Sequence, residues 1–285
     1  MDATGLEQLI EEAGLGAKRE ALLRLALPAV RFITEPAGHC PLGDSRIGGA
    51  PDASSDFLWP QFRGQPLAFI AQLNLTQFAP VMPTGELPVA GWLLFFYDSR
   101  QQNWGFDPND RGCAAVAYVT PDTALQRIAL PDSLDKEGRF RTCAVREITA
   151  VRTLPWYDSP LLEPLDLTKA EQDRYFDDIL HQLNPGEGQL YHQLGGYAEP
   201  IQSDMQLECQ LTTHGIYCGD SSGYKDPRRA ALEAGTADWR LLLQVDSDDN
   251  AEMMWGDLGR LYYWIRKQDL VARRFSESWL IFQCS

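Results

Sequence analysis

Three short segments of this 285-residue chain recur in the same order, and that recurrence constrains the fold more than any other feature. Ile47-Gly48-Gly49-Ala50-Pro51 returns as Leu194-Gly195-Gly196-Tyr197-Ala198-Glu199-Pro200. The run 67–74, with Gln72 and Asn74, returns as Leu241-Leu242-Leu243-Gln244-Val245-Asp246. Gly91-Trp92-Leu93-Leu94-Phe95-Phe96 returns as Gly259-Arg260-Leu261-Tyr262-Tyr263-Trp264. Two copies are too few for a solenoid. They predict one domain over 1–285 built from pseudo-duplicated halves: a helical segment 1–28, a first half 29–160 and a second half 161–285. A groove between the halves is then the natural place for a ligand or partner. Chance likeness of short apolar strands is the alternative.

Local patterns point to a β-rich α+β fold with mostly antiparallel sheets. Leu6, Leu9, Ile10, Leu22, Leu23 and Leu25 recur at helical spacing, and Pro28 marks the stop. Apolar runs at 67–75, 92–97, 114–120, 239–245, 261–265 and 279–283 read as strands, with Pro80, Pro83, Gly85 and Pro88 as turn punctuation. Thr168-Lys169-Ala170-Glu171 is a capping box, in which the hydroxyl accepts a free backbone N–H and the glutamate reaches back. Phe176, Ile179, Leu180 and Leu183 give that helix its apolar stripe, and Asn184-Pro185-Gly186 ends it. Asp226-Pro227 starts a shorter helix that stops near Gly235. Met205, Leu207, Cys209 and Leu211 alternate with polar residues, which gives Cys209 the character of a small buried hydrophobe.

Charge narrows the function. With 25 basic against 40 acidic side chains the formal charge is −15, which argues against a general nucleic-acid binder and against an anionic membrane surface. It suits a basic partner. The acidic start Met1-Asp2-Ala3 lacks a signal peptide's basic and apolar regions, and no apolar run approaches the roughly 18 residues of a spanning helix. A cytoplasmic location follows as the expectation, with Cys40, Cys113, Cys143, Cys209, Cys218 and Cys284 as reduced thiols.

Several of these segments carry a family resemblance. Arg46-Ile47-Gly48-Gly49-Ala50-Pro51, Phe57-Leu58-Trp59-Pro60 and Pro66-Leu67-Ala68-Phe69-Ile70-Ala71-Gln72-Leu73-Asn74 resemble the front signature of the YwqG-like family, a bacterial domain of unknown function. His192-Gln193-Leu194-Gly195-Gly196, Trp239-Arg240-Leu241-Leu242-Leu243-Gln244 and Trp255-Gly256-Asp257-Leu258-Gly259-Arg260 are similar to its second block. The resemblance implies a cytosolic β-rich α+β fold with no established activity or agreed catalytic residues. It also carries the expectation that some members accompany bacterial toxins as antidotes.

No motif supplies a coherent catalytic set. Gly219-Asp220-Ser221-Ser222-Gly223 and Gly38-His39-Cys40 resemble serine-protease loops, but Arg46-Ile47-Gly48-Gly49 follows the histidine instead of preceding it. Cys209, His214 and Cys218, with His192 as a fourth group, lack the tight cysteine pairs of structural zinc. Asp246, Asp248, Asn250 and Asp257 mimic a calcium loop, yet Ala251 stands where glycine is needed and Asp257 where a bidentate glutamate is needed. Gly48 and Gly49 have no Lys-Ser/Thr partner for a phosphate loop; with Gly195 and Gly196 they read as structural glycines at φ > 0 or at close chain approach.

The leading expectation is therefore a non-enzymatic binding protein, an immunity or antidote protein facing a basic toxin, with no cofactor and no metal. Trp59, Trp104 and Trp255, loop aromatics near acids, together with Asp107, Asp248, Asp249 and Asp257, are the candidate partner- or ligand-binding residues. The alternative is a small-molecule binder or hydrolase in the groove, with His192, His214, Asp220 and Asp257 as acid/base groups.

Overall fold

A computed structural model describes residues 3–82, 85–184 and 189–285. Pro83, Pro185 and Gly186, expected to punctuate turns and end a helix, lie outside the described residues. The chain is organised by one large antiparallel sheet of ten strands: β1 (Leu27–Pro36), β2 (Arg46–Ile47), β3 (Ala68–Asn74), β4 (Trp92–Tyr97), β5 (Ala114–Val119), β6 (Cys143–Thr153), β7 (His192–Gly195), β8 (Trp239–Asp246), β9 (Arg260–Arg266) and β10 (Trp279–Gln283). Their spatial order is β10-β9-β8-β7-β1-β6-β2-β3-β4-β5. The long pair β1–β6 is thus the middle of the sheet, and each side of it carries an arm of four strands.

Alternation along the strands gives each arm two apolar faces. Leu93, Phe95 and Tyr97 of β4 and Leu261, Tyr263 and Ile265 of β9 enter the same central core. The sheet curls until the arms meet: the Phe95 and Tyr263 rings touch edge to face at 5.1 Å, and the Tyr263 hydroxyl donates to the Phe96 carbonyl at 3.2 Å. Leu94 and Phe96 face outward onto Phe57 and Trp59, and Tyr262 and Trp264 face outward onto Met205 and Cys209. β3 and β8 each shift register by one residue, at Phe69/Ala71 and at Leu241/Leu243.

The N-terminal segment is helical but broken. Helices Ala3–Glu12 and Arg19–Leu25 flank a tight turn at Gly16–Lys18, and Gly14 sits at φ 68° between them. Leu6, Leu9, Ile10 and Leu22 form a separate apolar cluster with Tyr175, Ile179 and Leu180 of the capped helix. The capping box forms as read from Thr168 and Glu171. Cys209 is a small buried hydrophobe, as its alternation implies, and it sits on a helix, Gln206–Thr213, that packs against β8 and β10, with Cys209 and Leu211 entering different apolar clusters.

Two acids lie at the start of that helix, Asp204 just ahead of it and Glu208 in its first turn. Burial pushes Asp204 up to about 6 and Glu208 up to about 7, the latter while accepting the Tyr224 hydroxyl. Both groups hold protons more tightly folded than unfolded, so their contribution is full below the unfolded values, 3.8 and 4.5, and is lost as pH rises through about 6 and 7. The double variant Asp204→Asn/Glu208→Gln is expected to lose less stability than the native chain between pH 5 and 8. Urea midpoints at the two pH values check this, and an unchanged pH dependence would refute it.

Candidate ligand cleft

The cleft is built on the outer face of the second arm. Asp246 ends β8 and pairs across the ladder with Arg260, which begins β9. Arg260 donates from Nε to Asp246 Oδ1 at 3.1 Å and from Nη1 to Glu199 Oε2 at 2.8 Å. Tyr191 donates its hydroxyl to the same Glu199 oxygen, and the Arg31 guanidinium lies 4.5 Å above the Tyr191 ring centre. Burial alone would lower the Arg260 value, but Glu199, Tyr262 and Asp246 outweigh it and hold the guanidinium firmly charged. Burial wins at Asp246, whose carboxyl sits above the usual range despite Arg260.

Asp248 anchors the adjoining loop. It is 1% exposed and accepts the Thr34 hydroxyl, while His192 Nε2 stands 3.4 Å from Oδ2. His192 Nδ1 accepts the Asp246 N–H at 3.2 Å, which places the ring proton on Nε2, toward Asp248. Burial raises the Asp248 carboxyl, but the nearby His192 ring and donation from the Thr34 hydroxyl overcome this and leave it below its ordinary value.

Above this floor opens a cleft of about 740 Å³. Glu199, Asp246 and Arg260 form its base. The β8–β9 loop supplies one wall through Asp248, Asp249, Asn250, Met254 and Leu258, and Trp156, His181 and Asn184 stand on the other. The volume falls within the range typical of small-ligand sites. Two residues of the loop, Glu252 and Leu258, hold left-handed φ values of 58° and 49°, conformations that side chains other than glycine adopt at a cost.

Of the seven candidate binding residues, the structure brings Asp248 and Asp249 together in this cleft. Trp255 is a correction: it is fully buried against Tyr97 and Phe140, and its indole N–H is spent on the Asp246 carbonyl at 3.1 Å. It supports the cleft from behind and offers no surface to a partner. Trp59 is half-buried on Phe96 and donates to the Leu67 carbonyl, and Trp104 is half-buried on Phe282. Asp107 caps the turn at Pro108–Asp110, and Asp257 is exposed outside the cleft lining.

The four proposed acid/base groups do not converge. His192 is buried beside Asp248, His214 closes the helix Gln206–Thr213 against the Gln210 carbonyl, Asp220 caps the Ser222 N–H, and Asp257 is exposed. Cys209 and Cys218 belong to different apolar clusters, and among the described residues no group of three or more His, Cys, Asp or Glu could hold a metal. Sequence reasoning missed Glu199, Arg260, Tyr191 and Arg31. Glu199 and Arg260 lay inside the recurring segments, where only the glycines and apolar strands were weighed.

Fold and cleft together define a β-rich α+β protein with a polar, acid-lined cavity on one arm of a curled antiparallel sheet. Residues 45–284 match a family described as "Domain of unknown function (DUF1963)", and the chain belongs to that family. The match spans both arms and the whole β8–β9 loop. Comparison with curated proteins gives no match. Among the described residues no helix is long and apolar enough to cross a membrane.

Proposed function

We propose that the chain is a non-enzymatic binding protein that holds a basic protein partner at its acidic cleft, as a bacterial immunity protein holds a toxin. The observation that carries this reading is that Glu199, Asp246 and Asp249 line one cavity, with the Asp248 carboxylate buried within the β8–β9 loop, and that among the described lining residues Arg260 is the one arginine or lysine to offset them. A charge of −15 over the whole chain adds a long-range pull on a basic partner, which speeds association. The YwqG-like blocks are consistent with this role. A cytoplasmic setting fits six buried, unpaired cysteines.

The two arms also read as copies of one unit. Gly48-Gly49 follows β2 and Gly195-Gly196 spans the end of β7; Gln72 accepts the Asp52 N–H at 2.7 Å and Gln244 accepts the Glu199 N–H at 3.0 Å. Paired register shifts in β3 and β8 support the same reading. A small polar ligand in the cleft is the second reading, favoured by the cavity volume.

The test is association with the product of a neighbouring basic open reading frame, followed by stopped flow. The double variant Asp249→Asn/Asp257→Asn is expected to slow association about tenfold at low salt, with its thermal midpoint unchanged. Association insensitive to both salt and these variants would refute the reading.

A further inference from the structure

We propose that the group received by the cleft is an arginine side chain, presented by the partner between apolar residues; this rests on the basic-partner reading. The first arm shows the chemistry within the protein itself. Asp52, four residues after Gly48, is buried, and its carboxylate receives two guanidinium groups: Arg46 Nη2 at 2.6 Å and Arg127 Nε at 2.5 Å. Arg127 arrives from outside the strand-and-turn unit, on the short strand Gln126–Arg127 that pairs with Asp52–Ala53. Gln72 completes the set by donating to Asp52 Oδ2 at 3.0 Å.

Glu199, four residues after Gly195, has the corresponding backbone bond to Gln244, and its carboxylate takes one guanidinium, Arg260, and the Tyr191 hydroxyl on the same oxygen. No strand among the described residues covers it as Gln126–Arg127 covers Asp52. Glu199 borders the cleft instead. The first arm therefore puts two guanidinium groups on its buried acid, whereas Glu199 has one, beside the Tyr191 hydroxyl, and borders an acid-lined cleft.

The walls select among cations. Paired carboxylates match the planar fork of a guanidinium, which donates through several N–H groups at once; an ammonium is a point charge that cannot. Trp156 lines the same cleft, an aromatic side chain of the type on which a guanidinium stacks. At the mouth, Met254 and Leu258 are 43% and 65% exposed, an apolar rim for residues flanking the arginine. Asp249, exposed on the same loop, is the free acid at the entrance.

Fluorescence anisotropy of the full chain with labelled pentapeptides tests the proposal. The central residue is arginine, lysine or citrulline, flanked by leucines. Arginine is expected to bind roughly tenfold or more tightly than either substitute, the difference of one charge-assisted hydrogen bond. Asp249→Lys is expected to abolish that preference with the thermal midpoint unchanged. Equal affinity for arginine and lysine, both weakened by Asp249→Lys, overturns the guanidinium assignment and leaves the basic-partner reading standing. Arginine binding that Asp249→Lys does not weaken places the peptide elsewhere and overturns the proposal. Absence of binding by all three peptides overturns it too, and the association experiment above then judges the broader reading alone.

Discussion

Gly48→Ala is expected to destabilise the chain by about 3–5 kcal/mol, and Gly195→Ala by only about 1–2 kcal/mol. Gly48 follows β2, Gly195 is the last residue of β7, and both sit at left-handed φ, 65° and 72°. A side chain at either position pays the cost of that backbone conformation. The surroundings then separate them. An added Cβ at Gly48 would overlap the Arg141 carbonyl oxygen, a backbone atom that cannot swing aside. At Gly195 the nearest atom is the Pro28 carbonyl oxygen at 3.7 Å, ordinary contact. Urea unfolding of the two variants measures the difference. Equal losses would show that conformation alone, and not close approach, requires glycine after β2.

Asp52→Ala should cost about 3–5 kcal/mol, because it strands a buried charge. Arg46 is fully buried, and its other partners are the Ala50 and Asp44 carbonyls and Gln72, all neutral. Hydrogen bonding and the Asp52 charge raise the Arg46 value, though burial prevails and leaves it lowered; removing the carboxylate takes that support away. Burial likewise raises Asp52, and donation from Arg127, Gly43, Gln72 and Arg46 more than reverses it. The double variant Arg46→Met/Asp52→Ala removes the stranded charge and should be more stable than Asp52→Ala alone. A double variant less stable than the single one would mean that Arg46 acts mainly through its neutral hydrogen bonds.

Much of the architecture was legible because it rests on local patterns. β4, β9 and β10 are apolar runs of strand length, and the capping box at Thr168 states its own chemistry. The helix at Gln206–Thr213 was not legible because its buried positions answer to two separate clusters, so its polarity pattern follows neighbours remote in sequence. Trp255 looked like a loop anchor since nothing local shows Tyr97 and Phe140 closing over it. The cleft was the least legible part. Asp248 and Asp249 stood out as an acidic run, but Glu199, Arg260 and Tyr191 become one site only when β7, β8 and β9 align in register. Side-chain networks across strands leave no periodic mark on a chain.

The central position of β1 has a kinetic consequence. Each arm is largely a meander in which neighbours in sequence are neighbours in space, so it can zip up through local contacts. β1 differs: Val30 pairs with Ala150 on one side and with Leu194 on the other. Neither bond can form until most of the intervening chain has left the ribosome, and each closes a long loop at an entropic cost. An early strand must therefore wait, unpaired on both edges, for two late ones. The helices just ahead of it, packed only once the segment around Tyr175 arrives, wait with it.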